Sequence, residues 1–261
     1  MICAIPAAAR KSVKMSKKPT LERDGYIVID NILDIVQIKE IQNLWDNREF
    51  KAIDILVKNH PRVNEFLARV LPKEYGFMDY VMFLEKSVLH TCHRDNNASR
   101  FNTGISKSYT MLVYIDDMKN CLDVVPRSHK PINIGLYWYD MTQTYKCRPG
   151  SVILFDADLV HSGSLDSLDQ NRRIQFKISH QDDFEKLSFF NDYHKVVDKP
   201  NTNSEWSKKI QKNLSCQFPY IADLTQGQNK GYIKGDLSLT DKIFSKLMYS
   251  DPNYYSLQDA Y

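Results

Sequence analysis

Between residues 79 and 179 the chain alternates short apolar runs with turn residues, and this pattern constrains the fold most. The runs are DYVMFLEKSVL (79–89), SYTMLVYIDD (108–117), LDVVP (122–126), SVILFDADLV (151–160) and RRIQFKIS (172–179). Thr103-Gly104, Asp116-Asp117, Pro126, Pro149-Gly150 and Ser162-Gly163 punctuate them. β-Branched and aromatic residues favour strands, and no helix-length pattern separates the runs, so they predict a sandwich or jelly-roll barrel. Helical spacing of Ile35, Ile38, Ile41 and Leu44 predicts a helix over 32–45, and a second is expected over 62–71 with Pro61 in its first turn. From about Asp183 the chain becomes polar, with helical stretches near 203–213 and 239–249. The reading is mainly β with flanking helices: a tail over 1–20, a barrel domain over 21–183, and an extension of helices and loops over 184–261 packed on the barrel.

Composition narrows the function. With 261 residues, 43% hydrophobic and 26% charged, the chain can bury a sizeable core. A net charge of +3 gives no reason to expect nucleic acid as a partner, and no apolar stretch is long enough to span a bilayer. The five cysteines are scattered without a CxxC pair, so neither a disulfide framework nor a zinc site is expected, and a reducing, cytoplasmic setting fits. MICAIPAAARKSVKMSKKPT has five basic residues and no acid. It is read as a tail, with mitochondrial targeting or a start at Met15 as alternatives.

The stretch HTCHRDNN (90–97) raises the question of a metal. His93 and Asp95 are two apart, so on a strand both side chains face one way. With a second histidine they would form the facial triad of non-haem Fe(II) oxygenases, which leaves coordination positions open. H-x-D alone is weak, since about 0.6 such tripeptides arise by chance in this composition. There are two here, His93-Arg94-Asp95 and His180-Gln181-Asp182. The first is followed by strands that end in His161, and by the pair Arg172-Arg173 opening another strand. The second is followed only by His194 in a polar stretch, and is read as the polar end of the last strand. An inward arginine would suit a dicarboxylate, because guanidinium grips carboxylate bidentately and stays charged when buried. Arg172 and Arg173 point to opposite faces, and counting does not say which points inward. His90 is expected at the surface or behind the ligands, His129 in a structural loop role, Cys92 as a packed small side chain, and Arg94 facing away in a salt bridge. Asp156 or Asp158 could orient a ligand histidine or lie on a solvated face.

LERDGYIVIDNIL (21–33), YTMLVYIDDMKNCLDVVPRSHK (109–130) and RPGSVILFDADLVHSGS (148–164), in this order, resemble the phytanoyl-CoA dioxygenase-like family of Fe(II)/2-oxoglutarate oxygenases. The resemblance implies a double-stranded β-helix (jelly-roll, cupin-like barrel). It implies His93, Asp95 and His161 as iron ligands, Arg172 as the 2-oxoglutarate clamp and Tyr109 beside the co-substrate. Fe(II), 2-oxoglutarate and O2 would then support hydroxylation of an unactivated C–H bond, with a small metabolite or acyl thioester favoured as substrate. The family's usual Asn-Gly is Asn120-Cys121 here, and its P-G-S-H is Pro126-Arg127-Ser128-His129. The rival readings are an inactive binding barrel and a cupin-type dioxygenase that does not use 2-oxoglutarate. Specificity is expected in 96–107, in 131–146 with Tyr137, Trp138 and Tyr139, and in the polar tail.

Overall fold

The protein is seen as a computed structural model that describes residues 18–86, 89–95, 106–130, 141–165, 171–198, 200, 202–218, 239–253 and 258–261. The 1–17 tail, Tyr137, Trp138, Tyr139 and most of the expected specificity segments lie outside the described residues.

Helices come first. A one-turn helix α1 (Leu21–Asp24) ends at Gly25, whose φ of 87° is left-handed. A Cβ at Gly25 would meet His129 at 2.5 Å and Leu159 at 2.8 Å, so glycine is required both by backbone and by space. His129 thereby packs the 126–129 loop against the start of the domain. Helix α2 (Ile35–Asp46) opens on a capping box: the Asp34 carboxylate accepts from the Val36 and Gln37 N–H groups, while Gln37 returns its side chain to the Asp34 N–H. It buries Ile38, Ile41 and Trp45. The expected second helix is α4 (Pro61–Val70). Between them the sequence hides α3 (Phe50–Lys58), which buries Phe50, Ile53 and Val57.

The strands are β1 (Tyr26–Ile29), β2 (Tyr75–Leu84), β3 (Tyr109–Tyr114), β4 (Met118–Val124), β5 (Gln143–Cys147), β6 (Val152–Asp156), β7 (His161–Gly163), β8 (Arg173–His180), β9 (Tyr193–Val197) and β10 (Gln258–Asp259). They form a seven-stranded sheet, ordered β1-β6-β3-β8-β2-β9-β10, and a three-stranded sheet, ordered β5-β4-β7. His93 bridges His161, so the segment 89–95 extends the smaller sheet beyond β7. Taken in chain order, β2, this segment and β3–β8 give sheets of order β6-β3-β8-β2 and β5-β4-β7-segment, all antiparallel. That alternation is the double-stranded β-helix. β9 was not expected; it runs parallel to β2 and widens the large sheet.

Strand alternation divides the side chains. Met111, Val113, Ile174, Phe176 and Ile178 join Ile38, Ile41, Trp45 and Phe50 in the core under the helices. Leu112, Tyr114, Ile153, Phe155, Leu122 and Val124 fill the space between the sheets. The inward face of β8 is therefore the odd-numbered one, and that of β3 the even-numbered one.

Candidate metal centre

Two backbone strands set the centre. His93 and His161 are directly opposed, each N–H donating to the other's carbonyl at 2.9 and 3.0 Å. The Asp95 N–H donates to the Ala157 carbonyl at 2.9 Å. This pairing brings a histidine and a carboxylate of one segment over a histidine 66 positions further on. One ligand atom each from His93, Asp95 and His161 lies within 4.8 Å of the others. The Asp95 Oδ1 is 3.7 Å from His93 Nε2 and 3.5 Å from His161 Nε2. Both histidines are only 5% exposed.

The surroundings fix the ring orientations. His93 Nδ1 lies 2.8 Å from the Thr91 carbonyl, and His161 Nδ1 lies 2.9 Å from the Leu159 carbonyl. A carbonyl can only accept, so each Nδ1 carries the proton and each Nε2 presents a lone pair. Burial, with the neighbouring His93 adding to it, pushes His161 down to about 4. Burial would raise the Asp95 carboxyl, but Lys177 first, then the two histidines and Thr110, hold it below the usual carboxylate range. Two imidazole lone pairs and a carboxylate oxygen thus converge with no proton among them. Acceptors facing acceptors in a buried site are unfavourable unless a cation sits between them, and this donor set suits a divalent transition metal. The carbonyl partners supply the outer support that such ligands need.

The second carboxylate oxygen is held separately. Thr110 Oγ1 donates to Asp95 Oδ2, and Lys177 Nζ lies 3.0 Å from the same oxygen. Lys177 also donates to Thr110 Oγ1 at 3.0 Å, and Gln175 Nε2 reaches Oδ2 at 3.5 Å. Oδ1 is left to face the histidines, so Asp95 is set up as a one-oxygen ligand. Burial lowers the Lys177 ammonium, opposed by Asp95. The sequence reasoning passed over Lys177 and Thr110. The available signal was a lysine on an apolar strand, an even number of residues from Arg173.

The two residues expected to bind co-substrate lie elsewhere. Arg172 precedes β8 and turns away from the space between the sheets. Its Nη2 meets Asp116 Oδ1 at 2.9 Å and its Nη1 meets Asp46 Oδ1 at 2.9 Å, which ties β8 to the β3–β4 turn and to α2. Its neighbour Arg173 takes the inward position, on the face of Gln175 and Lys177. Arg173 is 7% exposed and stands opposite Tyr114 in the register. The Tyr114 hydroxyl is buried and has no hydrogen-bond partner among the described residues. Tyr109 is also on the wrong face: it pairs with Asp156 and packs on Tyr75, ring centroids 5.6 Å apart, under the helices. One residue along, Thr110 occupies the inward place that was expected for Tyr109.

The same detail places the other residues singled out in the sequence. His90 is fully buried, which leaves the position behind the ligands of the two expected for it. Arg94 is 1% exposed and donates from Nε to the Asp158 carbonyl. Asp156 accepts from the Asp158 N–H rather than from His161, whose Nδ1 is taken by Leu159. His180 and Asp182 sit at the end of β8, where the Asp182 N–H donates to His180 Nδ1. Cys121 and Cys147, expected to be free, form a disulfide. The register between β4 and β5 shifts between Met118 and Leu122, which carries Cys121 over to Cys147 across 26 residues of sequence. No helix of the described residues is long and apolar enough to cross a membrane.

A jelly roll with an inward His-x-Asp and a facing histidine defines a candidate metalloenzyme barrel. Residues 59–174, from the start of α4 to the start of β8, match the family model described as Phytanoyl-CoA dioxygenase (PhyH). Over that span, less than half of its length, the chain is similar to this family. No curated protein sequence matches it. Among solved structures, it is similar to HygX from Streptomyces hygroscopicus with iron bound, at 14% identity over 66% of this chain and 87% of that one, TM-score 0.49. It is also similar to the epimerase SnoN in complex with Fe3+, alpha ketoglutarate and nogalamycin RO, at 18% identity over 61% and 80%, TM-score 0.47. EvdO2 from Micromonospora carbonacea var. aurantiaca, complexed with 2-oxoglutarate, is 11% identical over 60% and 86%, TM-score 0.45.

Proposed function

We propose that the protein is an Fe(II)/2-oxoglutarate oxygenase that hydroxylates an unactivated C–H bond of a small-molecule substrate. His93, Asp95 and His161 would hold the iron, and Arg173 with Tyr114, rather than Arg172 and Tyr109, would hold the far carboxylate of 2-oxoglutarate. The observation that carries this reading is the convergence of three buried acceptor atoms beside one strand face that also presents Arg173. When bound, the iron and 2-oxoglutarate would supply O2 activation coupled to oxidative decarboxylation.

The chain's own residues have simpler tasks. His93 and His161 keep their protons on Nδ1, so Nε2 stays available above about pH 4 at His161. Thr110 and Lys177 retain Asp95 Oδ2, so the carboxylate takes up one coordination position instead of two. Arg173 stands two residues from Gln175, about 7 Å of strand at the usual rise. That spacing suits a short dicarboxylate whose other end lies near Asp95. The Tyr114 hydroxyl, lacking a partner among the described residues, is a ready donor to the same carboxylate, and filling it removes an unsatisfied buried group. The walls from Leu112, Phe155, Leu122 and Val124 are apolar and exclude water.

The test is anaerobic absorption. Fe(II) and 2-oxoglutarate added to the protein should give a visible charge-transfer band. Asp95→Ala should abolish it, Arg173→Gln should demand far more 2-oxoglutarate to produce it, and Arg172→Gln should leave it unchanged. No band from well-folded protein would reject the oxygenase reading in favour of a binding barrel.

A further inference from the structure

The residues that precede His93 are held by the far end of the chain. His90, Thr91 and Cys92 are all fully buried. Each is fastened to one or both of two C-terminal helices, α5 (Glu205–Gln217) and α6 (Leu239–Tyr249). His90 Nε2 meets Gln211 Oε1 at 2.8 Å, and its ring lies edge-on to Tyr249 with centroids 5.3 Å apart. The Thr91 hydroxyl meets the Tyr249 hydroxyl at 2.6 Å. The Cys92 N–H donates to Ser215 Oγ at 2.8 Å, and that hydroxyl donates onward to the Lys212 carbonyl at 3.0 Å.

The other histidine strand is held by the same helix. Lys212, fully buried, donates to the Gly163 carbonyl at 2.8 Å and pairs with Asp123. Asp123 lies opposite Ser162 on the outer face of the small sheet, one residue from His161. The two helices are themselves tied, with Gln211 Nε2 donating to the Leu247 carbonyl at 3.0 Å, and Asn203, just ahead of α5, donates from Nδ2 to the Met248 carbonyl at 2.6 Å.

We infer that α5 and α6 are a positioning scaffold for the metal centre, with Tyr249 and Ser215 as its principal residues. This rests on His93 being a metal ligand. The physical link is short. The Thr91 carbonyl fixes the His93 imidazole. Thr91 is itself fixed through its hydroxyl by Tyr249, and the next peptide is fixed by Ser215. The segment 89–95 belongs to no long strand; its backbone meets the barrel at Leu89, whose carbonyl accepts from the Gly163 N–H, at His93 and at Asp95, and between Leu89 and His93 it is also held by the two helices. Its backbone therefore takes its path from the helices as much as from the sheet. Both helices lie outside the 59–174 match to the family. The metal site is thus completed by a part of the chain that the family pattern does not include.

The test uses cobalt(II), alone and anaerobic, titrated into the full chain while its visible d–d spectrum is read. Tyr249→Phe keeps the ring against His90 and removes only the hydroxyl, and Ser215→Ala removes only the second anchor. Loss of an outer partner of this kind typically weakens metal affinity about 10–100-fold. The double variant should fall in this range and show a shifted spectrum, while Trp206→Ala, on the exposed face of α5, should match wild type. Thr91→Val and Tyr249→Phe should be non-additive in affinity, because each removes the same contact. Wild-type affinity and spectrum in the double variant, however far its melting temperature falls, would overturn the scaffold while leaving His93 a ligand. Absence of cobalt binding to wild type would overturn both.

Discussion

His161 and Asp95 face each other as two nearly buried acceptors, Nε2 to Oδ1 at 3.5 Å. That contact is unfavourable without a cation, so metal binding should be coupled to stability. A ligand that binds only the folded state at 100 times its Kd stabilises by about 2.7 kcal/mol. In a chain of this length that raises the melting temperature by roughly 5–10 °C. Mn(II) or anaerobic Fe(II) should produce this shift in a thermal melt and fail to do so in Asp95→Ala. An equal shift in the variant would place the metal elsewhere.

Acid should weaken the metal-free protein well above the range where carboxylates titrate. Burial pushes both His161 and His90 down to about 4, from 6.5. Between these values the unfolded chain takes up protons that the folded chain refuses. Stability is therefore full above pH 6.5 and falls as pH drops toward 4. Each histidine contributes at most about 2 kcal/mol of loss between pH 7 and pH 5. Urea unfolding at the two pH values should show this loss, and His90→Gln should remove roughly half of it. A flat profile would contradict the buried neutral histidines.

Arg172 should matter for stability and not for co-substrate. Its side chain is bidentate on Asp116, which is 13% exposed, and reaches Asp46, which is 72% exposed. The Asp46 contact is screened and adds little. Removing the partner of the buried carboxylate should cost about 1–3 kcal/mol. Arg172→Gln should therefore lower the denaturant midpoint while 2-oxoglutarate affinity, read by titration calorimetry, stays at the wild-type value. A large loss of affinity with unchanged stability would restore Arg172 to the clamp.

This arginine shows where sequence reading stops. His93, Asp95 and His161 were legible because i, i+2 spacing on a strand and a histidine closing an apolar run are local patterns. The choice between Arg172 and Arg173 depends on register, and a slip of one residue exchanges the two faces. Nothing within 162–172 reports that register. It comes from the pairing of Arg173 with Tyr114 and Leu84 on adjacent strands. Tyr109 was misplaced by the same single step. The jelly roll was legible from strand count and turns, whereas α3 was masked by the polar residues within its nine positions and β9 by the polar composition after 183. The helix contacts to 90–92 span more than a hundred residues and leave no local mark.

The Cys121–Cys147 disulfide gives the last prediction. It joins two adjacent strands of the small sheet, β4 and β5, within the apolar space between the sheets. Closing a loop of 26 residues removes unfolded-chain entropy worth about 3.5 kcal/mol. Of the five cysteines, Cys92 and Cys216 are free and buried. Denatured protein prepared without reductant should therefore show fewer titratable thiols than reduced protein, by two. Reductant should lower the melting temperature of the wild type and leave a Cys121→Ala/Cys147→Ala variant unmoved. Because β4 lies beside β7, the strand that carries His161, the variant should also bind metal more weakly as it approaches its own melting range. Equal thiol counts in oxidised and reduced samples would show that the two cysteines pack without bonding.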